Sequence, residues 1–240
     1  MPISRSARKW WRKATRPSRI VLHGQRVRVA SPHMGPTLRR ALLRGRYERH
    51  KVRQLRNRVE PNDVVLDVGA GIGLTALYAA SMVGAENVVC LEADPRAAAL
   101  AEANFAANGQ DIELLRAAAV PGGDPADVDF HLNEELGRSS LTPKAGDIET
   151  VAVPTVDVAP LLRGRGISVL NVAVEGSERD LLTAIDDFAD VRILLLSVHE
   201  QVVGYERTNR LLERLFDAGF ALDLPDSRGR HIALARYRFS

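Results

Sequence analysis

The stretch "VVLDVGAGIGL", Val64–Leu74, decides the fold. An apolar run of strand type carries one acid, Asp67, and then enters a loop with three glycines, Gly69, Gly71 and Gly73. Glycine accepts positive φ and puts no Cβ in the path of a ligand. A strand that runs into such a loop therefore predicts a nucleotide-like ligand at its carboxyl end. Two ligand classes share this beginning. A dinucleotide fingerprint, G-x-G-x-x-G, would place its third glycine at position 74, which is Leu74, and would seat a pyrophosphate on the next helix. S-adenosylmethionine (SAM) has no phosphate to seat. Its loop only lets the backbone of Gly69, Ala70, Gly71 and Gly73 come close, with Asp67 set to orient the cationic amino-acid end.

Outward from this loop, strand and helix signals alternate. Strands are predicted near Val64–Val68, Val88–Glu92, Ile112–Arg116, Ser168–Val172 and Ile193–Val198, with helices at Leu74–Met82, Pro95–Asn108, Ser177–Phe188 and Glu206–Ala218. Runs of Val, Leu and Ile without alternation are those of strands covered on both faces. The pattern predicts an α/β fold with a doubly wound, mostly parallel, Rossmann-like sheet. The tail breaks it: "FALDLP" and "HIALARYRF", separated by "DSRGR", read as an antiparallel hairpin. A parallel sheet with that ending is typical of SAM methyltransferases and unusual for dinucleotide domains. Glu92 closes the second strand in "VVCLEADP", where an acid accepts hydrogen bonds from ribose hydroxyls of NAD and SAM alike. Ala93 and Ala117–Ala118 are small enough to flank an adenine, or are ordinary packing.

The 240 residues carry a net charge of +3, unevenly distributed. Residues 1–60 hold 18 Lys/Arg against Glu48 and Glu60, while the rest hold 15 basic and 28 acidic side chains. This segment reads as a basic extension: a tail with Trp10 and Trp11, a hairpin "RIVLHGQRVRV" turning at His23-Gly24, and helical sequence broken near Gly45. Residues 61–240 read as the main domain. A cationic arm predicts an anionic membrane surface or an acidic partner, unless it is a solvated tail. No apolar stretch has the length of a membrane span or the form of a signal peptide, so a cytoplasmic protein, peripheral at the membrane, is expected. The lone Cys90 reads as a small buried residue. Pro121–Pro154 is irregular, with short strand signals in "VDFHL" and "ETVAVP", and reads as an insertion over the ligand face.

Taken together, "RYERH", "VVLDVGAGIGL", "VVCLEADP" with "NFAANG", "VEGSERDLL", "LLLSVHE" and "LFDAGFAL" resemble the FkbM-type SAM-dependent methyltransferases. The resemblance runs from about Tyr47 to the C-terminus, and "EGSE" after the fourth strand is its most specific mark. It implies a class I methyltransferase that uses SAM and O-methylates a hydroxyl of a small molecule, sugar or glycan. The chain departs from that pattern at Ala173, in "VAVEG", where relatives carry an aspartate. If that aspartate is the family's base or substrate anchor, another group must serve here. Glu175 and His199 follow the fourth and fifth strands and are the catalytic candidates, His199 having the pKa of a base near neutrality. Each also has a plain structural reading, as a strand-end hydrogen-bonding residue or a helix N-terminal acid. "RSSL" (Arg138–Leu141) in the insertion is a candidate substrate contact. Asp129, His131 and Glu134 lack metal-ligand spacing, and no metal is expected. Nucleic acid is an unlikely partner on this reading, for want of an Asn-Pro-Pro-Tyr-like motif. A methyltransferase-fold binding protein without turnover and an NAD-dependent oxidoreductase remain as rivals.

Overall fold

The structure, a computed structural model, describes residues 17–122, 126–199 and 204–236. Trp10, Trp11 and the rest of the basic tail to residue 16 lie outside the described residues.

The central sheet grows from four buried strands: β3 (Val65–Val68), β4 (Val88–Leu91), β10 (Val169–Val172) and β11 (Ile193–Ser197). Every residue in them is buried, as their uninterrupted apolar character requires. With β5 (Glu113–Leu115), β12 (Ala221–Leu222) and β13 (His231–Ala235) they form one seven-stranded sheet in the order β12-β13-β11-β10-β3-β4-β5. The strands from β11 to β5 run parallel, and β13 alone is antiparallel to both its neighbours, β11 and β12. This is the doubly wound α/β sheet with a reversed ending. Alternate side chains feed two cores. Leu66, Leu170 and Leu194 pack on one face, and Val65, Cys90, Val169 and Ile193 on the other.

Helices α3 (Leu74–Val83) and α4 (Pro95–Asn108) carry the chain back from β3 and β4, and α5 (Val158–Gly164) precedes β10. Local chemistry sets the bounds of α4: the Asp94 side chain accepts from Arg96 N–H at the N-cap, Pro95 opens the first turn, and Gly109 closes the helix at φ +65°. Helix α6 (Glu178–Thr183) ends well short of the Phe188 expected from sequence. The chain turns after Thr183 so that Ile185 and Phe188 enter the core, Phe188 meeting Phe220 edge-on with centroids 5.1 Å apart. Helix α7 (Tyr205–Asp217) follows, as its amphipathic pattern predicts.

Ahead of the sheet, β1 (Arg19–Leu22) and β2 (Gln25–Arg28) pair around His23 and Gly24, and α1 (Pro36–Leu43) and α2 (Arg49–Arg58) are separate helices. The break lies at Gly45–Glu48, where Gly45 and Glu48 both have positive φ. This segment packs on the domain. Leu22, Val27 and Leu42 share a core with Ile72, Leu74 and Leu100. Asn104 of α4, fully buried, donates to Ile72 C=O at 2.9 Å and accepts from Arg28 N–H at 2.9 Å, tying hairpin to glycine loop. The insertion is a hairpin of β7 (Val128–Asn133) and β8 (Asp147–Val153), and next to it β6 (Ala118–Val120) pairs in parallel with β9 (Thr155–Asp157).

Candidate active site

After β3 the chain moves outward to β4 and β5, then returns to place β10 on the other side of β3. At such a reversal the connections on either side diverge and leave a crevice at the carboxyl ends of the strands. A cavity of about 530 Å³ opens there, within the usual range for ligand sites.

The glycine loop forms its floor. Gly69, at φ +82°, passes so close to β10 that a Cβ would sit 2.2 Å from the Ala173 carbonyl oxygen. Gly71, at φ +57°, leaves room for the Tyr47 hydroxyl and donates its N–H to Glu92 Oε2 at 2.6 Å. Asp94 N–H donates to the other oxygen, Oε1, at 2.9 Å. Burial pushes the Glu92 carboxyl up to about 7, although both N–H groups oppose this. Ala93 and Ala118 line the same wall. Three predicted residues stand behind it. Asp67 is buried in the sheet, where Asn171 Nδ2 donates to its Oδ1 at 2.5 Å; Ala70 packs into the core; and Gly73 abuts Phe105 at the start of α3.

At the other end, His199 sits between two carboxylates. Glu175 Oε1 lies 3.1 Å from its Nε2, and Glu178 Oε1 lies 3.1 Å from Nδ1 and accepts the His199 backbone N–H at 2.7 Å. Burial alone would lower the imidazole pKa, but the bonds to Glu175 and Glu178 outweigh it and raise the value to about 9. His199 is therefore an imidazolium at neutral pH, with both ring nitrogens donating. This differs from the free base suggested by its ordinary pKa, because sequence does not show that both carboxylates converge on it. For Glu175, burial opposes ionisation, but the His199 bond prevails and holds the carboxyl below its usual range. Glu175 lies at φ +50°, a costly conformation for a residue with a side chain. Lys144 Nζ fixes that backbone by donating to the Glu175 carbonyl at 2.6 Å.

The sequence model of ribosomal protein L11 methyltransferases (PrmA) matches residues 49–128, about a third of the chain. The match spans the glycine loop, Glu92 and α4. No curated protein sequence matches. The fold is that of a class I SAM-dependent methyltransferase. Solved methyltransferases resemble the chain at low identity. The SAM-bound magnesium protoporphyrin IX methyltransferase (ChlM) of Synechocystis PCC 6803 is 13% identical over 88% of each chain, with a TM-score of 0.49. The ribosomal protein L11 methylase of Lactobacillus delbrueckii subsp. bulgaricus is 21% identical over 77% of this chain and 73% of that one, with a TM-score of 0.41.

These comparisons correct the expected partners. The family model that matches is named for a methyltransferase of a ribosomal protein, a macromolecular acceptor, and not for one acting on a small molecule, a glycan or a membrane surface, the partners expected alongside an unlikely nucleic acid. The glycine-loop end of the cavity fits SAM. Each Glu92 oxygen accepts one backbone N–H, and carboxylate oxygens have capacity for further donors such as ribose hydroxyls. Asp67 Oδ2 is buried without a hydrogen-bond partner among the described residues.

Several wall residues were not legible as such. Tyr47 and Glu48 line the cavity from the segment before α2, and Lys144 and Arg230 come from the insertion and the turn before β13. "RYERH" marked the neighbourhood of Tyr47 and Glu48 through the family resemblance, but nothing in its spacing assigned them a place in the site. Arg138, Ser139 and Leu141 of "RSSL" are on the wall, with Ser139 Oγ donating to Asp94 at 2.7 Å. His131 instead bonds Thr150 Oγ1 at 3.0 Å on the insertion hairpin.

Proposed function

We propose that the chain is an O-methyltransferase of FkbM type, in which Glu175 receives the proton of an acceptor hydroxyl. The carrying observation is the placement of Glu175: on the cavity wall just after β10, in a strained backbone conformation, and paired with a cationic His199. "VEGSERDLL" supports the FkbM assignment, and the PrmA match supports an acceptor group carried on a macromolecule.

SAM, when bound, supplies the activated methyl group. Glu92 and the backbone of Gly69 and Gly71 would hold it, with Ala93 and Ala118 beside the adenine. What the protein adds is alignment and a proton acceptor. His199 already carries its proton and donates from both nitrogens, so it cannot take another. Glu175 stays ionised through neutral pH and is the group left to accept one. Glu178, fully buried, holds the imidazolium from the opposite side and also receives Gly176 N–H at 2.7 Å. His199 and Glu178 are thus positioning residues for Glu175.

Calorimetric titration with S-adenosylhomocysteine, with NADH in parallel, tests the cofactor half. Binding of S-adenosylhomocysteine alone is expected; binding of NADH alone overturns the reading. Ala173 favours a second reading, a ligand-binding chain without turnover. Activity that appears only in Ala173→Asp would establish that reading.

A further inference from the structure

From Arg230 on the cavity wall, a group of exposed arginines extends over the adjoining surface. In the segment from Arg44 to Arg53, Glu48 is the only acid among Arg44, Arg46, Arg49, Lys51 and Arg53. The turn Arg228–Arg230 comes against it. His50 and His231 stack with centroids 5.1 Å apart and rings 16° from parallel. Arg49, Arg53 and Arg228 act electrostatically on His50, and Arg230 and Lys51 on His231. Arg53 is bonded to Pro225 C=O and lies 3.8 Å from Asp226. Arg46, Arg49, Arg228 and Arg230 are exposed and make no ion pair among the described residues. Elsewhere Arg116, Arg165 and Arg210 are paired with Glu102, Glu113 and Glu206, and exposed arginines without an ion pair among the described residues, such as Arg163 and Arg207, lie away from the cavity lining. Arg230, Tyr47 and Glu48 also line the cavity, so the cationic surface runs into the site.

We propose that this surface binds the phosphodiester backbone of a single-stranded nucleic acid and presents one of its nucleotides to the cavity. Guanidinium groups without carboxylate partners, gathered around imidazole rings, offer the two things an unpaired strand takes from a protein: phosphate neutralisation and planar groups on which bases stack. A recessed cavity also favours a single strand, because a base held within a duplex does not reach into one. SAM offers one carboxylate, at its amino-acid end, so it can engage at most one of these arginines and leaves the others to a larger polyanion. The inference rests on the methyltransferase reading for what happens in the cavity; the binding surface does not depend on it.

The test is fluorescence anisotropy of the full chain with a labelled single-stranded RNA of mixed sequence, about 20 nucleotides long, across a range of salt. The wild type is expected to bind with an affinity that falls steeply with salt. The R49A/R228A double variant should bind about tenfold or more weakly, with a log–log salt slope smaller by about 1.4, since each lost single-strand phosphate contact removes about 0.7. R163A/R207A, the same loss of charge elsewhere, should bind like the wild type. Equal losses in both pairs, an unchanged R49A/R228A, or equally effective competition by a poly-glutamate peptide would each overturn the proposal. S-adenosylhomocysteine binding by R49A/R228A checks that the variant is folded, and the single variant R46A provides an independent reading. If the wild type binds RNA but not S-adenosylhomocysteine, the methyl-transfer reading fails while the nucleic-acid surface stands.

Discussion

Among the described residues Glu92 meets two backbone N–H groups and no cation, which is why burial dominates its ionisation. With a folded pKa near 7 against an ordinary value of 4.5, the folded chain holds more protons than the unfolded one across that window. Its contribution to stability therefore falls as pH rises from about 4.5 to 7. Ligand hydroxyls donating to the carboxylate would reverse that preference. S-adenosylhomocysteine binding at pH 7 should then release protons, seen as a dependence of calorimetric heat on buffer ionisation enthalpy, and Glu92→Gln should abolish the release. Glu92→Ala should weaken binding by roughly ten- to a hundredfold, as expected when bonds to a charged group worth about 1.5–3 kcal/mol are lost. His199 gives the opposite pH trend from Glu175 and Glu178. Its raised pKa contributes stability that is complete below about 6.5 and is lost as pH rises toward 9. The melting temperature should fall across that range in the wild type, and less in His199→Gln. Glu175→Gln should leave S-adenosylhomocysteine binding intact and slow methyl transfer by about 10²-fold or more. Strand-end position was enough to put Glu92 and His199 on the cavity wall from sequence. The charge on His199 was not legible, because Glu178 reaches it only after α6 has folded back against the end of β11.

At the scale of elements, the approach of β3 to β10 is set by Gly69. Gly69→Ala puts a methyl group against the Ala173 carbonyl at a φ of +82°, so both strain and collision are expected. The cost should reach several kcal/mol, enough to lower the denaturation midpoint sharply and to weaken ligand binding. Gly109→Ala, at φ +65° with open space around the missing Cβ, isolates the backbone effect and should cost about 1 kcal/mol with binding unchanged. The buried strands could be read directly because both their faces are covered, which removes any need for alternating polarity. Helix α6 was read too long because apolar residues continue past its end. Ile185 and Phe188 are buried, but through a turn, and spacing alone does not separate that from another helical turn.

Across the whole molecule, residues from 19 to 58 and the sheet share cores and hydrogen bonds. Leu42 of α1, fully buried in one core with Ile72 and Leu74, illustrates this. Leu42→Ala should cost about 2–5 kcal/mol. Circular dichroism and tryptophan-independent calorimetry should still show a single shifted transition, whereas two transitions would mean that the N-terminal segment unfolds on its own. Sequence pattern gave no sign of this coupling, since a basic stretch beside an acidic domain looks separable until Asn104 is seen to hold both. The antiparallel strand β13 has a different consequence. It lies between β11 and β12, so the segment that enters the sheet last in chain order fills an interior place. Until it arrives, β11 presents a bare apolar edge able to recruit a strand from another molecule. A ribosome that stalls before His231, or a protease that trims back to it, would leave a chain with most of its site residues and an adhesive flank. Clumping during synthesis would then be the first sign of damage at this end, ahead of any loss of catalysis.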